Sequence, residues 1–312
     1  MIKACIFDLD GTILNTAQSL LRPSNITLDS FKLEHITEDD VKRFVGNGYK
    51  TLVKRFMNYR GVDNEGIIEE ARYIYSKEFE KDPSYHVVAY PGISAALLYL
   101  KKMGIKLAVL SNKSDERAVK VVEDVFGSEL FDVIRGAKEG VPLKPDPTSL
   151  ISLMSEMNIN PQECLYFGDT DIDIQTGEKA GCPTAGCSWG YRSRKSLEEA
   201  NCDYLIDDPD EICDLLKLIN FTYEINGAKI KTVKDFYDSV YAQMMPDVDF
   251  IPGHNMDAFA DAVRGGFGMH NDPEDCNFVW TDFQESRVYL DDGFIVDIIN
   301  IITAEGSLLT IA

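Results

Sequence analysis

The chain has 312 residues, 45% of them apolar and 27% charged, with a formal net charge of −21. That is the make-up of an ordinary globular protein with room for two or three domains, and so acidic a chain is a poor binder of nucleic acid phosphates. No apolar run approaches the roughly 18 residues of a membrane span, and acids already at Asp8 and Asp10 are unlike an export signal, so the expected setting is the cytoplasm with no membrane partner. Seven cysteines lack any CxxC pair. Cys5, Cys164, Cys182 and Cys187 fall in or beside predicted strands and read as small buried hydrophobes.

In chain order, Ile2 to Phe7 reads as a short buried strand that stops abruptly at Asp8-Leu9-Asp10-Gly11-Thr12. Open α/β sheets present their chemistry at such carboxyl ends. Asp8 and Asp10 are two apart, which on a regular strand points both to one face. Gly11 permits a tight turn and Thr12 adds a hydroxyl. Two carboxylates this close have their pKa values pushed apart, so that one stays ionised while the other moves a proton. Helical spacing follows: Asp39-Asp40 opens a segment through Val41, Phe44, Val45, Leu52, Val53 and Phe56, interrupted by Gly46-Asn47-Gly48. A second runs through Ile67, Ile68, Ala71, Ile74, Tyr75 and Phe79. Residues 15–87 thus form a helical insertion after the first strand.

Tyr90-Pro91-Gly92 is turn punctuation, after which helix and strand alternate. A helix is predicted from Ile93 to Met103, and a strand from Ile105 to Leu110 that stops at Ser111-Asn112-Lys113. Asp115 is expected to cap the next helix, which reaches Phe126. A strand covers Phe131 to Ile134, then comes Leu143-Lys144-Pro145-Asp146-Pro147. Cys164 to Phe167 is a strand ending at Gly168-Asp169, with Asp173 four residues further on. Short strands at 183–187 and 204–206 and a helix from Asp210 to Ile219 close the region. This alternation predicts a parallel sheet covered on both faces.

Singly, a serine after a strand is a turn residue and a lysine before proline is a solvated side chain. Taken in order, Asp-Leu-Asp-Gly-Thr, Ser-Asn-Lys, Lys-Pro-Asp-Pro and Gly-Asp-x-x-x-Asp resemble the four motifs of the haloacid dehalogenase superfamily in its phosphatase form. The resemblance covers residues 1 to about 219. Val45-Gly46-Asn47-Gly48, Tyr90-Pro91-Gly92 and Gly136 to Pro142 are most similar to phosphoglycolate phosphatases. It implies a Rossmann-like α/β core (1–14 and 88–219) with residues 15–87 as a helical cap that selects substrate. It also implies an Mg²⁺-dependent phosphatase acting on a small phosphorylated metabolite. Asp8 would be the nucleophile that forms an aspartyl-phosphate, and Asp10 the general acid and base. Gly11, Thr12, Ser111, Asn112 and Lys144 would hold the phosphate. Asp169 would complete the metal site with the Asp8 carboxylate and the Asp10 carbonyl, while Asp173 would face Lys144 or the metal's waters. Asn15 departs from the aspartate that relatives often carry. A sugar-phosphate mutase with the same core is the alternative, distinguished by the fate of the phosphoaspartate.

From Tyr223 the pattern restarts: Tyr223 to Gly227, a helix through Phe236, Val240 and Met244, a second through Met256, Phe259 and Val263, a strand at 278–280, a helix from Phe294 to Ile302, and a strand at 308–311. Residues 221–312 hold 16 acids and 5 bases, which makes this stretch more than twice as acidic per residue as the rest. It resembles barstar, the intracellular ribonuclease inhibitor, through Ile225-Asn226-Gly227, Gly253-His254-Asn255-Met256-Asp257-Ala258, Asp261, Trp280 and Ala304-Glu305-Gly306. The resemblance implies a small α/β domain, 221–312, whose Asp257 and Asp261 face a basic ribonuclease from one side of a helix. Ile251 replaces an expected aromatic and Ile301 an expected glutamate. His254 reads as a loop hydrogen-bonding residue, not a metal ligand. The alternative function is that of a binding protein acting through this tail, with the phosphatase fold as carrier.

Overall fold

The computed structural model describes residues 1–245, 251–266, 276–304 and 306–312. The chain forms two compact units that divide at Asp214, the larger spanning Ile2–Cys213.

The larger unit begins with β1 (Ala4–Phe7) and β2 (Leu14–Asn15), followed by four helices: α1 (Ala17–Ser30), α2 (Glu38–Phe44), α3 (Tyr49–Tyr59) and α4 (Glu65–Lys81). The chain returns through β3 (Val88–Ala89), α5 (Ile93–Lys102), β4 (Lys106–Ser114), α6 (Asp115–Phe126), β5 (Val133–Ala137) and α7 (Thr148–Glu156). It finishes with β6 (Cys164–Gly168), α8 (Asp171–Ala180), β7 (Thr184–Cys187), α9 (Arg194–Glu199) and β8 (Tyr204–Ile206), and the division between the units falls within α10 (Glu211–Asn220). Six strands make one parallel sheet in the order β5-β4-β1-β6-β7-β8. All four residues of β1 are fully buried, as expected of a strand covered on both faces. Phe7 pairs with both Val109 and Phe167, so the residues after β1 emerge at the carboxyl edge between β4 and β6.

The insertion packs around its own core of Val41, Leu52, Val53, Phe56, Ile68, Tyr75 and Phe79. Its two connections to the sheet, β2 and β3, pair antiparallel, Leu14 with Ala89 and Asn15 with Val88. Helix α2 starts on a reciprocal capping box between Thr37 and Asp40, and Gly46 and Gly48 separate it from α3. Helix α1 is not marked as a helix by the sequence pattern. It contains Pro23, and its buried face is made of Ala17, Ser19, Leu20, Pro23, Ser24, Thr27 and Leu28. Ser24 and Thr27 hydroxyls donate back to the carbonyls of Leu20 and Pro23, both at 2.7 Å, which lets these polar side chains sit on the buried face with their hydroxyls satisfied.

Two local expectations need correction. Strand β4 does not stop at Leu110 but continues to Ser114, with a register shift against β5 between these residues; such a bulge re-aims side chains at the sheet edge. Asp115 does not cap α6, whose cap position is Ser114. Its carboxylate instead accepts the Gly136 N–H at 2.9 Å and pairs with Lys138.

The smaller unit contains β9 (Thr222–Asn226), α11 (Val233–Met244), α12 (Met256–Val263), β10 (Asn277–Thr281), α13 (Phe283–Ser286), α14 (Asp292–Ala304) and β11 (Leu308–Ile311). Its three parallel strands run in the order β11-β10-β9. Trp280, fully buried, packs against Phe236 and Phe283 and donates its indole N–H to Ser286 at 3.1 Å. Asp257 and Asp261 lie exposed on α12. His254 pairs with Asp238 at 3.0 Å and stacks on Tyr237. Ile251 is 71% exposed, whereas Ile301 packs against the core of this unit. Glu305 lies outside the described residues. Among the described residues no helix is long and apolar enough to cross a membrane.

Candidate active site

Four segments meet at the carboxyl edge of the large sheet: the loop after β1, the end of β4, the Lys144 turn, and the β6–α8 junction. Lys144, 5% exposed, is the hub. Its ammonium donates to Asp8 Oδ1 and Asp173 Oδ1, each at 2.6 Å, to the Tyr166 hydroxyl at 3.0 Å and to the Leu110 carbonyl at 3.2 Å. Asp173 is fixed by the N-terminus of its own helix. Its second oxygen accepts from the Thr170 hydroxyl at 2.6 Å and backbone N–H at 3.1 Å in a capping box.

Asp169 is completely buried. It accepts from the Thr12 hydroxyl at 3.1 Å and from the Tyr191 N–H at 2.7 Å. The backbone closes around it. Gly11 has φ of 103°, and a Cβ there would lie 2.3 Å from Asp169 Oδ2, so only glycine fits.

Ligand atoms of Asp8, Asp169 and Asp173 lie within 4.8 Å of one another. Three buried carboxylates around one ammonium leave negative charge uncompensated. Burial above all pushes the Asp8 carboxyl up, against the pull of Lys144, to about 7. Burial, then the charges of Asp8 and Asp173, hold Asp169 well above the usual carboxylate range. Burial disfavours the charge on Lys144, but Asp173 and Asp8 outweigh it and keep the ammonium protonated far above its ordinary value. Hard oxygen ligands and surplus negative charge fit a divalent metal ion, and Asp8 and Asp169 are the groups that would hold it.

The side chain of Asp10 is held apart from that triad. Its Oδ1 accepts from Lys113 at 2.5 Å and from the Thr16 hydroxyl at 2.6 Å. Thr16 in turn meets the Tyr191 hydroxyl at 2.9 Å. Ser111 is buried and accepts the Lys113 N–H at 3.2 Å. Asn112 ties three segments together: its amide donates to the Gly46 carbonyl at 2.9 Å and the Lys144 carbonyl at 3.1 Å, while its oxygen accepts the Lys144 N–H at 2.9 Å. With that side chain committed, Asn112 can offer a ligand only its main-chain amide. Asn15 accepts the N–H of Ala17 at the start of α1, at 3.2 Å.

Asp8, Asp10, Ser111, Asn112, Lys144 and Asp173 line one pocket, whose opposite wall is the insertion: Val45, Gly46, Tyr49, Tyr75 and Phe79. Its volume is about 60 Å³. The pocket also holds Lys113, and Tyr166, Tyr191 and Thr16 stand behind it; sequence reasoning gave none of these a role. Lys113 stood next to Ser111 in the triplet that ends the strand run. Tyr191 carries no local signal, since its partners Thr16 and Asp169 are 175 and 22 residues away.

The sequence model of the haloacid dehalogenase-like hydrolase family matches residues 5–187. The chain belongs to that family. Among haloacid dehalogenase-like hydrolases it is similar to the phosphoglycolate phosphatase of Aquifex aeolicus, 30% identical over 69% of this chain and 97% of that protein. It is 31% identical to the phosphoglycolate phosphatase of Haemophilus influenzae, over 67% of this chain and 96% of that one. A solved structure from Lactobacillus delbrueckii subsp. bulgaricus superposes with a TM-score of 0.65 at 27% identity, covering 69% of this chain and 98% of its own. The hydrolase is fused to a second family, since the model of barstar, the barnase inhibitor, matches residues 220–304.

Proposed function

We propose that the larger unit is a Mg²⁺-dependent phosphatase that hydrolyses a small phosphomonoester of the phosphoglycolate kind, with residues 15–87 as its cap. The observation that carries this reading is Lys144 held 2.6 Å from both Asp8 and Asp173 at the floor of a pocket shared with Asp10. Phosphoryl transfer needs charge neutralisation and alignment more than covalent novelty, and this arrangement supplies both. A carboxylate oxygen of Asp8 attacks phosphorus as the bond to the leaving oxygen breaks, and Asp10 gives that oxygen a proton. Asp10 then takes a proton from the water that cleaves the aspartyl-phosphate and frees inorganic phosphate. Lys113 and Thr16 both occupy Oδ1 of Asp10, so Oδ2 is the atom that exchanges the proton. Ser111, the Gly11, Thr12 and Asn112 backbone, and Lys144 hold the phosphoryl oxygens. A bound Mg²⁺ would neutralise phosphate charge beside Asp8, the Asp10 carbonyl and Asp169.

The test is phosphate release across a panel of small phosphoesters, with Asp8→Asn as control. The variant should fold and lose activity. Turnover above a tenth of wild type would exclude the aspartyl-phosphate route, and conversion of a sugar phosphate to its isomer without net phosphate release would replace phosphatase by mutase.

For the smaller unit we propose protein binding, with a basic ribonuclease as partner. The match to barstar, the exposure of Asp257 and Asp261 on one helix, and the acidity of the stretch support it. All seven cysteines are free thiols, which supports a reducing, cytoplasmic setting.

A further inference from the structure

Tyr75, on α4, is 1% exposed and lines the pocket. Its ring stacks between Tyr49 and Phe79, with centroids 6.2 and 6.0 Å away. Its hydroxyl oxygen is buried with no hydrogen-bond partner. Folded proteins satisfy nearly all such groups, and an exception calls for a ligand or a water. Burial keeps the phenol protonated well beyond its ordinary range, so it can donate a hydrogen bond.

Arg117, on α6, lines the same pocket. Its hydrogen bonds to Ser76 and Glu80 all leave from Nη2, so Nε and Nη1 are available to a ligand. Its guanidinium carbon lies 5.0 Å from the Phe79 ring and 5.4 Å from the Tyr49 ring, the two rings that flank Tyr75. All three pocket cations have an acidic partner, Lys113 in Asp10, Lys144 in Asp8 and Asp173, and Arg117 in Glu80 at 3.1 Å, and Arg117 engages Glu80 through Nη2 only. A neutral donor and the two spare nitrogen positions of a guanidinium in one pocket suit a carboxylate, which can accept from both.

We propose that Tyr75 and Arg117 form the leaving-group subsite, and that it selects phosphate monoesters of small hydroxy acids by binding their carboxylate. This rests on the phosphatase reading above. Two esters of similar size separate the ideas: 2-phosphoglycolate, and 2-hydroxyethyl phosphate, which carries a neutral alcohol in place of the acid. Wild type should prefer the acid. Tyr75→Phe and Arg117→Gln should each lower the ratio of kcat/KM for the acid over that for the alcohol by about tenfold or more, since a site built around a polar partner discriminates strongly when the pair is lost. Without ligand, Tyr75→Phe should melt no lower than wild type, because no internal hydrogen bond is removed. A wild type that cleaves neither ester sinks the phosphatase reading and the subsite with it. A wild type that cleaves both equally leaves the phosphatase standing and overturns the subsite. So does an unchanged ratio in the variants, or a Tyr75→Phe protein that melts several degrees lower.

Discussion

Replacing Lys144 with methionine tests the electrostatic design of the site. Among the described residues the ammonium is the sole cation within hydrogen-bond reach of Asp8 and Asp173, and it touches both at 2.6 Å from a position 5% exposed. Methionine fills much of the volume but leaves two buried carboxylates facing Asp169. Removing one member of a buried ion pair costs about 3–5 kcal/mol. For a unit the size of residues 2–213, that lowers the melting temperature on the order of 6–20 °C. The loss must depend on pH. Asp8 is raised to about 7 by burial even with Lys144 pulling it down, so without the lysine it moves higher still. A carboxyl whose folded pKa lies above its unfolded value keeps its proton in the fold after the unfolded chain has lost it, so stability falls as pH rises through that window. Relative to wild type the cost sets in as pH rises past about 7, where Asp8 ionises beside Lys144 but stays protonated without it, so it is larger at pH 8 than at pH 5, where Asp8 is neutral in both proteins. Scanning calorimetry of the full chain in chelator, at pH 5 and pH 8, reads both values, and only the transition of the larger unit should shift. A loss below about 1 kcal/mol at pH 8 would show that the ion pairs balance out. An equal loss at both pH values would show that packing, not charge, is at stake.

Two other measurements bear on the site and the tail. Adding Mg²⁺ to chelator-treated protein should raise the melting temperature of the larger unit, by an increment that grows between pH 5.5 and 8. Asp8 at about 7 and the raised Asp169 hold protons that the ion must displace, so an increment independent of pH would exclude these carboxylates as ligands. Titrating the full chain against a basic, barnase-like ribonuclease should show binding that weakens steeply from low to physiological salt. Asp261→Ala should weaken it further by more than about 1 kcal/mol. No binding at either salt, or no effect of the substitution, would remove α12 as the contact surface.

What the sequence determined by itself is the part governed by local pattern. Apolar runs that stop at carboxylates locate β1 and β6, and with them Asp8 and Asp169, because a strand buried on both faces must be continuously apolar. Asp173 is legible only through the resemblance, as the last acid of Gly-Asp-x-x-x-Asp, and the capping box that holds it is a finding of the fold. The return of strand and helix signals after Tyr223 marked a second unit, since a separate core needs its own apolar periodicity. Tertiary structure decided the rest. Helix α1 buries serines, threonines and a proline, so hydrophobic periodicity cannot see it. Strands β2 and β3 are two residues each, too short for any period, and exist only because they pair. Lys113 reaches Asp10 across 103 positions and Tyr191 reaches Thr16 across 175. Such contacts depend on which strands the sheet sets side by side and where the bulge in β4 turns its side chains, and no stretch of neighbouring residues contains that information. The unpartnered hydroxyl of Tyr75 belongs with them: in the sequence it is one more apolar position on a helix face, and its meaning lies in the pocket it lines.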